Sequence, residues 1–306
     1  MTTARVSERA TGDKVNIVTP ATAAVVNGLG SADAPSAAYV TNAVNEAVVE
    51  RIESDVGGES GELRAQIRTD GERTGVVHAA IAAAGVLQRV ANFSVITLRP
   101  ASDVRSGRLG LYYIGRWPRA TTAKNGLVVY RPPSGFIEVT PQNADTHLSQ
   151  HFRIRDFLTH DQPAVWPKYE VVSLKLVDKL ELVLADLQQH GINPEGVHVM
   201  SGFRTPQYNR AGGDPRGRAR LSRHMYGDAA DILIDNSGAG VMSDLNHDGR
   251  IDINDARVIL AAVNRVERAH PSLVGGCGVY AGNGAHGPFV HIDTRGYAAR
   301  WTGTGD

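Results

Sequence analysis

The segment SRHMYGDAADILID holds His224 and, seven positions on, Asp231. A second imidazole, His291, lies downstream in PFVHIDTRG, a short apolar run that reads as a strand. Two imidazoles and one carboxylate suit catalytic zinc. Three protein ligands leave the fourth position for water, whose pKa the ion lowers to about 7. A His near an Asp is by itself more often a hydrogen-bonded pair than a ligand pair, so the residues around them carry the argument further.

Between the second and third of these residues runs DLNHDGRIDIND, residues 244–255. Counted as a twelve-residue loop, it puts Asp244, Asn246 and Asp248 at positions 1, 3 and 5, and Gly249 at position 6, where the sharp turn needs glycine. Arg250 would give its backbone carbonyl at position 7, Ile251 packs at 8, Asp252 stands at 9 and Asp255 at 12. Hard oxygen donors at alternating positions predict a structural calcium ion, with the helix ARVILAAVNRV following. Position 12 is Asp rather than Glu and no good helix precedes the loop, so it resembles a single dockerin-type half-hand inserted over 240–266. A solvated acidic loop is the plainer alternative.

The setting of the first pair is specific. Ser222-x-His224-x-x-Gly227-x-Ala229-x-Asp231 follows Ser201-Gly202-Phe203-Arg204-Thr205-Pro206 and Asn209. These blocks, in this order, resemble the zinc D-Ala-D-Ala carboxypeptidase and murein endopeptidase family. The nearest likeness is to its envelope branch, whose members end in a His-Val/Ile-Asp-Thr segment like His291 to Thr294. The stretch HFRIRDFLT also resembles a segment upstream of that core. The likeness spans roughly Thr146 to Trp301. It implies an α+β fold with a small antiparallel sheet carrying the metal, with His224, Asp231 and His291 as zinc ligands. It further implies Arg204 at the scissile bond and a peptidoglycan stem peptide as substrate. Arg204 follows a strand end, where a guanidinium can hold a carbonyl or an oxyanion. Ser222 is a candidate for bonding backbone near His224 or the substrate.

One departure concerns proton transfer. Many members of the family carry an acid three residues before the last histidine ligand, and here that position is Pro288. Asp293 is the expected replacement as general base, because residues 291 and 293 of a strand share a face. The alternative is that Asp293 holds a ligand in place. His286 is a further candidate proton donor. His147 and His151, four apart, lack the Glu that a zincin helix needs and are read as a structural or cleft-lining pair.

These residues need a frame. Ser173 can cap a helix whose stripe is Leu176, Val177, Leu180, Val183, Leu184 and Leu187, ended by Gly191, and a strand over 197–200 leads into Ser201. Upstream, FSVITLRP, GRLGLYYIGRWP, GLVVYRPP and GFIEVTP read as a small β-rich unit over 91–145. Residues 1–90 hold one aromatic, Tyr39, and read as a weakly ordered arm or pro-region. A helical patch is expected there at 37–54 and a short Ala-rich helix or connector at 76–87. The zinc domain would span 146–306.

With 32 basic and 32 acidic residues in 306, the chain lacks the broad basic footprint of a nucleic-acid binder. No run of 18 apolar residues predicts a membrane span. A single cysteine, Cys277, excludes an internal disulfide framework. The first residues do not read as a secretory signal, so a cell-envelope location, periplasmic or secreted, follows only from the implied substrate. The sequence leaves the oligomeric state and the choice between carboxypeptidase and endopeptidase open. Two rivals stand beside the peptidase: a catalytically silent zinc-containing cell-wall binding module, suggested by Pro288, and a calcium-dependent interaction protein using 244–266.

Overall fold

The computed structural model describes backbone and side chains for residues 98–119, 130–212, 218–283 and 286–303; elsewhere it describes strand backbones and the side chain of Ile96. The chain divides into two units, Met1–Val104 with Ser134–Ile154, and Arg105–Pro133 with Arg155–Asp306.

In the first unit the described elements are strands and one 3-10 turn, Ala101–Asp103. Gly75–Ala83 pairs antiparallel with Val86–Thr97 and with Ala37–Thr41. Strand pairing thus replaces the helix expected at 76–87 and the start of the helical patch at 37–54. Val76, Val77 and Val86 are β-branched and lose rotamer freedom in a helix. Most of the arm expected over 1–90 lies outside the described residues. Gly135–Val139 pairs with Arg99–Pro100 and buries Phe136, Ile137 and Val139.

The second unit is α+β. Helix α1, Leu174–Gln189, buries the six apolar residues that its spacing aligns. Truncating one of them, as in Leu180→Ala, costs about 2–5 kcal/mol. Lys179 lies on the same stripe and is also buried; its Nζ donates to Glu267 Oε1 at 2.7 Å and to the Asp293 carbonyl at 2.7 Å. Burying a lysine is tolerable only with such partners. Strand β1, Val197–Ser201, leads into the short helix α2, Pro206–Ala211. Strand β2 is Ala229–Ile234, and helix α3, Ile253–Ala269, packs on α1. Strands β3, Gly276–Tyr280, β4, Phe289–Asp293, and β5, Ala299–Gly303, complete a sheet of order β1-β2-β4-β3-β5. Only the β3–β5 pair is parallel.

Register is what this sheet contributes to function. Ser201 pairs with Asp231, Asp231 with His291, His291 with Gly278 and Gly278 with Trp301. Directly opposed residues project to one face, so these five form one lateral row. Gly278 is required in it: a Cβ there would lie 2.2 Å from the Trp301 indole. Among the described residues no helix is long and apolar enough to cross a membrane. Cys277 is buried beside the row, and burial pushes its thiol up to about 12, which leaves it unreactive.

Candidate metal centre

The row supplies two donors, and a turn supplies the third. His224 sits in a 3-10 turn, Arg223–Tyr226, that Gly227 ends with φ +69°. Any side chain at 227 would strike the Val171 carbonyl oxygen, 2.2 Å from an ideal Cβ. The turn is pinned at both ends, since Ser173 N donates to Gly227 O at 2.8 Å and Arg204 N donates to His224 O at 3.2 Å.

The three donors close a tight triangle. His224 Nε2 lies 3.2 Å from Asp231 Oδ1, His291 Nδ1 lies 2.9 Å from the same oxygen, and the two nitrogens are 3.1 Å apart. All three residues are buried. Ligands about 2.0–2.1 Å from a tetrahedral zinc ion stand about 3.3 Å from one another, so the observed edges fit that ion after a small expansion. Among the described residues this is the one group of three or more His, Cys, Asp or Glu side chains converging in this way.

Each imidazole is oriented through its other nitrogen. His224 Nδ1 is 2.7 Å from the Gly202 carbonyl, an acceptor, so the proton belongs on Nδ1 and the lone pair of Nε2 faces the triangle. Gly202 is close-packed to do this, with an ideal Cβ only 2.5 Å from Phe157 Cα. His291 Nε2 is 3.0 Å from Asp293 Oδ2. Burial and the Arg204 charge lower the His224 pKa to about 4 and keep it neutral. Burial opposes charge on His291 too, but hydrogen bonds to Asp231 and Asp293 outweigh it and raise its pKa. Burial likewise opposes ionisation of Asp231, yet His224 and Arg204 hold its carboxyl well below the usual range.

Asp293 does not stand where a general base would. Its carboxylate lies against the nitrogen of His291 that faces away from the triangle, and Arg295 Nε reaches both of its oxygens at 2.9 Å. Gly276 N adds a bond to Oδ1 at 2.7 Å. Burial is overcome by His291 and Arg295, so the group is held ionised. An acceptor this strongly committed is far from the pKa near working pH that a base needs.

Arg204 is also committed. Its Nη2 meets Asp231 Oδ2 at 2.5 Å and its Nε donates to Ser201 Oγ at 2.8 Å. It lines the cleft while steadying a metal ligand, a tie that only the β1–β2 register reveals. Ser222 is buried, precedes the His224 turn and lines the same cleft; its carbonyl accepts from Met225 N. His286 lines the cleft with its Nδ1 2.8 Å from the Gly287 carbonyl and its ring edge-on to Phe289. In the first unit, His147 Nδ1 lies 3.1 Å from Ser149 O.

Residues 154–253 match the family described as Peptidase M15. The match covers about a third of the chain and indicates a hydrolase of the zinc-metallopeptidase kind. No curated protein and no solved structure matches the chain. The matched segment includes His224 and Asp231 but stops before His291, so the third donor rests on the sheet register and the triangle's distances.

The acidic loop is built differently. Both Asp255 oxygens are taken by backbone amides: Oδ1 by Leu245 N at 2.8 Å and Oδ2 by Asp252 N at 2.7 Å. Asp252 caps α3, accepting from Asn254 N at 2.7 Å, and Asp252 and Asp255 form a reciprocal capping box. Asp244 accepts from Gly249 N at 2.9 Å and Asp248 from Arg250 N at 2.9 Å. Gly249, at φ +82°, makes the expected turn. Of the residues expected to hold calcium, Asp244, Asn246, Asp248, Arg250, Asp252 and Asp255, the last two also shape the start of the helix.

Proposed function

We propose that this protein is a zinc metallopeptidase that hydrolyses peptide bonds in peptidoglycan stem peptides, and that it acts in the cell envelope. The observation that carries the reading is the triangle of His224 Nε2, Asp231 Oδ1 and His291 Nδ1, with each imidazole oriented by an acceptor on its far nitrogen. The Peptidase M15 match over 154–253 supports the reaction class. A zinc ion held by these three atoms supplies the Lewis acidity that peptide hydrolysis needs.

The chain's own groups do the rest. Asp293, clamped by Arg295, keeps the His291 proton on Nε2. Arg204 holds Asp231 ionised and offers positive charge at the cleft wall, where an anionic transition state gains most. With Pro288 in the place of the family acid and Asp293 committed, His286 is assigned the proton exchange in the cleft.

The test is metal analysis joined to hydrolysis of purified stem peptides, read by mass spectrometry for native protein and His224→Ala. One zinc per chain with cleavage that disappears in the variant supports the reading. Absence of bound zinc overturns it. A second reading, a silent wall-binding module, is favoured by Pro288 together with the commitment of Asp293. It predicts zinc and wall binding without cleavage.

A further inference from the structure

The cleft beside the three donors encloses about 740 Å³. Its fully charged lining consists of Arg204, Arg218, Arg223, Arg295 and Asp231. Three of the four arginines are paired. Arg204 meets Asp231, Arg295 meets Asp293, and Arg223 Nε donates to Asp228 Oδ1 at 3.0 Å. Arg218 has no carboxylate partner among the described residues.

Arg218 is nevertheless held in place. Its Nη1 donates to the Tyr208 carbonyl at 2.9 Å, and its guanidinium lies 4.2 Å from the centroid of the Tyr208 ring. Gly212 makes the space, since an ideal Cβ there would lie 2.4 Å from Nη1. Stacking on an aromatic face fixes the plane of a guanidinium and leaves its edge for hydrogen bonding. Its other N–H groups have no partner among the described residues. A rigid fork with no carboxylate partner among the described residues is the complement of one planar carboxylate.

We propose that Arg218 is a specificity-determining residue that binds a free carboxylate of the peptide occupying this cleft. The inference rests on the peptidase reading for the identity of that peptide. Two sources share the chemistry: the C-terminal carboxylate and a side-chain carboxylate of an acidic residue.

Three fluorescein-labelled stem peptides distinguish them: one with both carboxylates free, one amidated at the C-terminus and one amidated at the side chain. Binding to zinc-loaded native protein, Arg218→Gln and Arg218→Lys is read by stopped-flow anisotropy before turnover, with thermal melts showing each variant folded. The expected result is about 10-fold weaker binding of the free peptide to Arg218→Gln, with partial recovery in Arg218→Lys. One amidated peptide should bind native protein as weakly and lose nothing more in Arg218→Gln; which one names the source. Equal binding of all three peptides to native protein, no binding at all, or an Arg218→Gln variant that still discriminates between them would overturn the proposal. Cleavage of the peptides without discrimination overturns this inference alone. Discrimination without cleavage overturns the peptidase reading and leaves the carboxylate site standing.

Discussion

Two regions of this chain spell out metal sites in their sequence, and the fold treats them oppositely. At the centre of the sheet, three donors from distant positions meet, and the groups that orient them lie outside the triangle. In the loop over 244–255, the carboxylates are close in sequence and are answered by amides of the same loop and of the helix it starts. The first arrangement leaves lone pairs converging on a common point. The second closes on itself. Spacing alone does not make a site; what matters is whether other parts of the fold take over the orienting work.

The sharpest break of that contrast is His291→Ala, which should take zinc from one per chain to near zero by elemental analysis and abolish peptide cleavage. Next is Asp293→Asn, which leaves the triangle complete but removes its outer support. Zinc affinity, read by competition with a chromophoric chelator, should fall about 10–100-fold. If it does not, orientation from outside the triangle is unimportant. Asp255→Ala should cost about 1–3 kcal/mol by urea unfolding, because buried amides lose their acceptor. The loss should be the same with calcium or with chelator; a loss seen only with calcium would restore Asp255 as a ligand.

Glu170 supplies a third kind of carboxyl, fully buried and with no hydrogen-bond partner among the described residues for either oxygen. Burial, helped by Asp156, raises its pKa well above the ordinary value. The unfolded chain releases this proton near pH 4.3, the folded chain only at higher pH. Stability therefore declines as pH rises through the interval between them, by up to about 1.4 kcal/mol per pH unit from this group. Glu170→Gln should match native protein near pH 4 in thermal melts and exceed it by about 1 kcal/mol at pH 8. A constant difference across that range would refute the assignment. The smallest effect belongs to Asp248→Ala at the exposed loop tip, within about 0.5 kcal/mol.

Much of the centre was legible in the sequence. His224, Asp231 and His291 stand in motif blocks, and the α1 stripe follows from its spacing. The face of Asp293 was legible as well, since a period of two puts it beside His291. Which edge of the imidazole it meets was not, because that depends on a ring torsion and on Arg295. The Arg204 tie to Asp231 escaped for a related reason: it follows from pairing β1 against β2 around an irregularity between Val199 and Ser201. The loop reads two ways because Asp252-x-x-Asp255 at a helix start spells a capping box and also fills positions 9 and 12 of an ion loop. The helix that follows was the available signal for the first reading. Lys179 was hidden on an apolar stripe whose partner, Glu267, lies 88 residues away.

The lateral row from Ser201 to Trp301 has a consequence for how this protein matures. Sliding β4 past β2 by a single residue would turn His291 toward the opposite surface and bring Ile292 or Val290 level with Asp231. No half-formed version of the centre exists between those pairings. Zinc supplied during refolding would therefore bind only chains whose strands have met in the right alignment, and would reward that alignment over its neighbours by mass action.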